Sequence, residues 1–177
     1  RFLRQYDRAY GLRFVSLRYF NACGASLDSR IGESHDPETH LIPKILMVAA
    51  GQAESISVFG NDYPTPDGTC IRDYIHVMDL AKAHVIAINR MAGNRMTNDF
   101  EVFNLGTGTG YSVLDVINAF ERVTGMKLNY KIMERREGDI EKVWADPTYS
   151  NRELGWKAEK GIEEMCRDAW NWQQKNP

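Results

Sequence analysis

The sequence has no surplus of charge of either sign. Its 177 residues carry 22 Lys and Arg against 24 Asp and Glu, a net charge of -2, so there is no basic field to draw a polyphosphate backbone, and no nucleic-acid partner is expected. It also lacks any apolar run near the roughly 20 residues that cross a bilayer, so no membrane partner is expected. Cysteine is scarce: Cys23, Cys70 and Cys166 are odd in number, far apart and never in a C-x-x-C pair. That argues against a disulfide framework and a zinc site and fits a reduced, cytoplasmic compartment. The opening "RFLRQYDRAYGLRF" has neither a signal-peptide pattern nor an N-cap before its helical periodicity, so a start inside a helix, in a fragment of a longer protein, is expected.

A dinucleotide fingerprint is missing as well. "NLGTGTGYS" places Gly106 and Gly108 at the right interval, but G-x-G-x-x-G needs a glycine at Tyr111, and no acid closes the following "KLNY" to hold a ribose. The stretch reads as a tight turn between strand and helix. "ESHDPETH" offers two histidines and three acids, yet Asp36-Pro37 is turn chemistry and breaks the helical spacing a helix-borne metal site would use. No metal is expected there. Thr39 and His40 instead precede a proline-initiated helix, where free N–H groups and the helix dipole favour an anion. His84, at the edge of an apolar helix face, reads as a packing residue.

What is present is α/β grammar in one domain, and at this length roughly 70% of the unfolded surface can be buried. Phe2, Leu3, Tyr6 and Tyr10 recur at helical spacing before Gly11; "RFVSLRYF" then reads as a buried strand. "LIPKILMVAAG" has Pro43 in a first turn and Gly51 at its end, and "SISVF" follows as a strand. "DLAKAHVIAINRM" puts Leu80, Ala83, Ala87, Ile88 and Met91 on one face. After the strand "FEVFNLG", "SVLDVINAFERVTG" reads as a helix with Ser112 and Asp115 as a capping pair, Val113, Val116, Ile117 and Phe120 inside, and Gly125 beyond its end. Ile162, Met165, Cys166, Ala169 and Trp170 form the stripe of a terminal helix.

Charge and polarity collect at three places. "LRYFNACGA" leaves Asn21 at the end of a strand, where open α/β sheets bind ligands. "TCIRDYIHV" sets Arg72 and Asp73 among apolar residues, where an arginine needs an anionic partner. "RREGD" adds Arg136 and Asp139, giving paired guanidinium forks suited to phosphates and a carboxylate suited to a ribose diol.

These stretches, with "FGNDYPTPDGTCIRDYIHVMDLA", "FNLGTGTGYSVLDV" and "ELGW" in the same order, resemble the C-terminal half of UDP-glucose/UDP-galactose 4-epimerases, which are extended short-chain dehydrogenase/reductases. The resemblance implies the last strands and helices of a doubly wound, Rossmann-like NAD-binding fold plus a mixed α/β substrate-binding portion over residues 1–177. It implies that Phe20 lies by the nicotinamide, that Asn21 and His40 touch the diphosphate, that Phe59 packs near uracil, and that Arg72 and Arg136 grip the diphosphate. Asp139 would take the uridine ribose, and Val143 would border the sugar. In that family, NAD+ removes hydride from sugar C4 and returns it to the opposite face of a 4-keto intermediate. A homodimer is implied for the full-length parent. The family's glycine-rich NAD loop and Tyr-x-x-x-Lys pair do not occur in this sequence, so this chain alone is expected neither to retain NAD nor to turn over. Some relatives carry asparagine where His40 stands and tyrosine at Val143. The alternatives are a nucleotide-sugar 4,6-dehydratase or decarboxylase of the same superfamily, and a non-catalytic uridine-nucleotide-binding fragment.

Overall fold

The computed structural model describes residues 2–176. The first helix, α1 (Phe2–Tyr10), stops where its periodicity does, with Gly11 at φ +66° and its N–H bonded to the Asp7 carbonyl. β1 (Phe14–Tyr19) follows and pairs in parallel with β5 (Phe100–Leu105), Phe14 opposite Phe100 and Tyr19 opposite Leu105. The strand predicted as buried is only half-buried, and Arg18 and Tyr19 are exposed. Two causes are visible: β1 has a strand neighbour on one side only among the described residues, and α1 buries none of its residues. The stripe on α1 stays exposed and stacks on itself, Phe2 against Tyr6 at 4.9 Å and Tyr6 against Tyr10 at 5.5 Å.

A bend at Phe20 breaks the single predicted strand in two. Beyond it, β2 (Asn21–Cys23) leaves β5 and pairs in parallel with β4 (Ile71–His76), Asn21 opposite Tyr74. The first residues of β4 are flanked by β6 (Gly110–Ser112), antiparallel, and by the short β8 (Lys142–Val143), parallel, so that Arg72 has Tyr111 and Val143 as its ladder partners. β3 (Ile56–Phe59) and β7 (Tyr130–Met133) form a third, parallel pair. Parallel partners demand long crossovers, and the intervening helices supply them, as the α/β reading expects.

Most of the site rests on one of two apolar clusters. α2 (Leu41–Ala49), α4 (Val113–Thr124) and the terminal helix (Ile162–Lys175) pack Ile45, Val116, Phe120 and Met165 against Val58 and Tyr74. Ser112 caps α4 as its sequence predicts: Ser112 Oγ accepts from the Asp115 N–H at 2.9 Å, Asp115 Oδ2 accepts from the Ser112 N–H at 3.0 Å, and Gly125 ends the helix in the left-handed region. Val113, predicted inside, is half-buried because it borders a cavity. Trp170 meets Phe120 edge to face, and the rest of its stripe is buried.

The second cluster joins β1, β5 and α3 (Val77–Ala92) around Ala83, Phe103, Leu105 and Trp156. Here the predicted face is partly wrong, since Ile88 is 62% exposed. Asp79 explains the difference. Its fully buried carboxylate accepts the backbone N–H groups of Glu159 and Lys160, both at 2.9 Å. Anchoring Asp79 inward turns Leu80, Ala83 and Ala87 to the core and carries Ile88, nine residues on, round to solvent.

Candidate functional site

The ends of β2, β3 and β4, the start of α2 and the segment after β7 enclose a cavity of about 370 Å³, within the range of small-molecule sites. Asn21, His40, Phe59, Arg72, Arg136 and Asp139, six of the residues singled out in the sequence, line it. Two others lie elsewhere: Phe20 is at the bend between β1 and β2, 37% exposed, and Val143 is half-buried across the ladder from Arg72, neither of them in the cavity wall.

The charged centre is built from three side chains. Arg136 donates from Nε to Asp139 Oδ2 at 3.0 Å and from a terminal nitrogen to Oδ1 at 3.3 Å, and its guanidinium lies 4.8 Å from the Phe59 ring centroid. Arg72 stands 3.8 Å from the same carboxylate and bonds the Ile71 carbonyl at 2.9 Å. Two guanidiniums therefore share one carboxylate. One positive charge is left over, flanked by Lys44 and by the N-terminus of α2, which has no acid in its first turn. Burial pushes the Tyr74 hydroxyl, which also lines the cavity, well above its ordinary range, so it adds no negative charge. An anion with several acceptor oxygens suits this arrangement, and arginine forks hold such an anion more specifically than lysine does.

Asp73 does not join the clamp. Fully buried, it accepts from the Thr107 N–H at 3.1 Å, Thr107 Oγ1 at 2.7 Å, the Gly108 N–H at 3.4 Å and the Ala145 N–H at 3.1 Å. Two backbone donors of the glycine turn, the Thr107 and Gly108 N–H groups, are thus used on an internal carboxylate. A Cβ at Gly106 would stand 2.3 Å from Asp73 Oδ2, so glycine is required by close approach. Asn21 is positioned by the same strand, donating from Nδ2 to the Asp73 carbonyl at 2.9 Å. His84 donates from Nδ1 to the Leu80 carbonyl at 2.8 Å, a local bond in a helix, and does not line this cavity.

Two charged lining residues were not read from the sequence as part of the site. Lys44 is the lone cation of an apolar helix, and its position one residue after Pro43 was the available signal. Glu33 lies in the stretch set aside as a turn, yet the bend at Asp36 and Pro37 folds this stretch on itself so that Glu33, His35, Glu38 and His40 each bring a ligand-type atom within 4.8 Å of the others. Partial burial raises the Glu33 carboxyl, an effect opposed by His40 and reinforced by Glu38. Burial also works against the charged form of Glu38, but the His40 N–H, the His40 ring and the Thr39 N–H outweigh it and hold its carboxyl below the ordinary value.

Known proteins match this chain on sequence and on fold. The family model described as GDP-mannose 4,6 dehydratase matches residues 1–169. The UDP-glucose 4-epimerase of Drosophila melanogaster is 51% identical over 164 residues, covering 92% of this chain and 47% of its own length, and that of Bacillus subtilis (strain 168) is 52% identical over 163, covering 90% and 47%. A crystal structure of UDP-glucose 4-epimerase from Bifidobacterium longum in complex with NAD+ and UDP superposes with a TM-score of 0.92 at 45% identity, over 99% of this chain and 52% of that one. The chain spans about half the length of the relatives it matches. Its strands and helices are those of the corresponding half of a Rossmann-like fold, and the chain belongs to the GDP-mannose 4,6 dehydratase family, where these relatives are UDP-glucose 4-epimerases.

Proposed function

We propose that residues 1–177 are the nucleotide-sugar-binding part of an NAD-dependent epimerase that interconverts UDP-glucose and UDP-galactose. The observation that carries this reading is the clamp: Arg72 and Arg136 share Asp139 in a cavity that also presents the Phe59 ring and the N-terminus of α2. The diphosphate takes the guanidiniums and Lys44, with Asn21 and His40 at its edge. An aromatic face suits a nucleobase, which assigns Phe59 to the uracil, and Asp139 takes the ribose hydroxyls once the arginines turn to phosphate. Phe20 and Val143, outside the cavity wall, are assigned to its nicotinamide and sugar sides. The relatives' names support the same substrate class.

The glycine turn of this chain does not fit the dinucleotide as a phosphate cradle, because its Thr107 and Gly108 N–H groups are held by Asp73. NAD would supply hydride chemistry in the full-length enzyme, held there by residues outside this chain, and what these residues contribute is binding and orientation. Charge-assisted contacts confined to UDP leave the hexose free to present either face, which a C4 epimerisation requires. The three cysteines are buried and unpaired, which supports a reducing, cytoplasmic location, and no helix among the described residues is long and apolar enough to cross a membrane. The homodimer is assigned to the full-length parent.

The test is to titrate UDP into the 177-residue chain and to assay the chain and its full-length parent side by side. Expected are UDP binding by both, with retained NAD and UDP-glucose/UDP-galactose interconversion by the parent alone. Absence of UDP binding in both sinks the reading, and a 4-keto-6-deoxy product from the parent would assign it to the dehydratases instead.

A further inference from the structure

The four groups folded together at residues 33–40 have the geometry of a coordination sphere. Four ligands placed 2.0–2.1 Å from a tetrahedral zinc ion are about 3.3 Å from one another. Across the cluster, Glu33 Oε1 stands 3.3 Å from His35 Nδ1 and 3.3 Å from His40 Nδ1. Glu38 spans the same two rings, Oε2 at 3.7 Å from His35 Nδ1 and Oε1 at 2.9 Å from His40 Nδ1. Each carboxylate thus touches both imidazoles, and both rings turn the same nitrogen inward, with centroids 5.0 Å apart. Local ion pairing explains less than this arrangement contains. One proton on an imidazole nitrogen can serve only one direction, whereas one ligand atom from each of the four side chains, all within 4.8 Å of one another, can be satisfied together by one divalent cation.

We propose that Glu33, His35, Glu38 and His40 form a binding site for a borderline divalent metal of the zinc type. Paired imidazoles and carboxylates select that class over magnesium or calcium, which prefer oxygen alone. The carboxylates are mostly buried, with side chains 21% and 10% exposed, while both histidines are 52% exposed, so the anionic floor is fixed and the ion enters from the imidazole side. Because Glu33 and His40 also line the cavity, a metal here pins the wall of that cavity across the Asp36–Pro37 bend. The site depends on residue geometry alone and stands whether or not the cavity takes a nucleotide.

Calorimetric titration of the chain with Zn²⁺, in the absence of any nucleotide, tests the proposal. His35→Ala, outside the cavity wall, and Glu38→Gln are the variants, each checked for native circular dichroism. The expected result is one saturable Zn²⁺ per chain, weakened at least about tenfold by each substitution. Tetrahedral Co²⁺ absorption that appears with the unaltered chain and is lost in His35→Ala is the second expected readout, and it holds even if Glu38→Gln does not fold. No saturable Zn²⁺ binding by the unaltered chain, or equal binding by His35→Ala, overturns it.

Discussion

Replacing Arg72 and Arg136 by alanine, singly and together, separates a ligand clamp from a structural ion-pair network. Each substitution removes a charge-assisted contact to the diphosphate worth about 1.5–3 kcal/mol, or roughly ten- to a hundredfold in UDP affinity at about 1.4 kcal/mol per decade. Exposure ranks the two. The Arg136 side chain is 57% exposed and Arg72 22%, so water screens the Arg136 contact more and its loss belongs at the lower end. In the double variant Asp139 loses both partners and its bare carboxylate faces the incoming phosphates. The shared partner makes the effects non-additive, and the double variant should bind UDP more weakly than the product of the single effects. Calorimetric titration with UDP reads this directly, with circular dichroism to show that the fold is kept. Unchanged affinity in a correctly folded double variant would mean that the arginines serve only Asp139, and the clamp would be refuted.

Further outcomes are expected. Gly106→Ala drives a methyl into Asp73 Oδ2 at 2.3 Å and the Ala145 Cβ at 2.5 Å, which should cost about 1–3 kcal/mol and lower Tm by roughly 3–10 °C; an unaltered thermal transition would contradict the assigned packing. Glu101 is nearly buried, and its hydrogen bonds from Arg90, at 2.6 and 2.9 Å, hold its carboxyl at about 2 against an ordinary 4.5. A depressed folded-state value means this stabilisation is full above pH 4.5 and fades as pH falls toward 2, so denaturant titrations should show Glu101→Gln flattening stability across that window; an identical slope would remove Glu101 as the cause. In the full-length parent, the small Val143 should admit UDP-N-acetylgalactosamine, and Val143→Tyr should depress kcat/KM for acetylated sugars selectively. Equal loss for plain and acetylated substrates would place Val143 away from the sugar.

Local rules carried the sequence reading far. The Ser112–Asp115 box, Gly125 and the terminal stripe from Ile162 to Ala169 depend on neighbours three or four positions away, and a sequence displays those directly. The misses needed information from across the fold. Ile88 turned outward because Asp79 bonds residues about eighty positions later. The strand through Phe20 broke because β2 changes partner from β5 to β4. Much of the candidate site was legible: Asn21 from its place at a strand end, Arg72 from a charge set among apolar residues, and Arg136 and Asp139 from the charge gathered in one short segment. Glu33 and Lys44 were not, since nothing in their immediate neighbours says that a bend and a helix start would bring them to one cavity.

The Asp73 carboxylate also sets an order of events. Its bonds reach 34 positions to Thr107, 35 to Gly108 and 72 to Ala145, and closing such distant contacts is slow compared with forming helices. Until the glycine turn and the segment after β8 have both docked, Asp73 lacks the donors that satisfy it in the folded chain and Arg72 lacks its ladder partners Tyr111 and Val143. The recognition cavity can therefore form only once contacts reaching up to 72 positions along the chain are made. During refolding, helical signal should return first and UDP binding last, so that ligand capture serves as a report of completed folding.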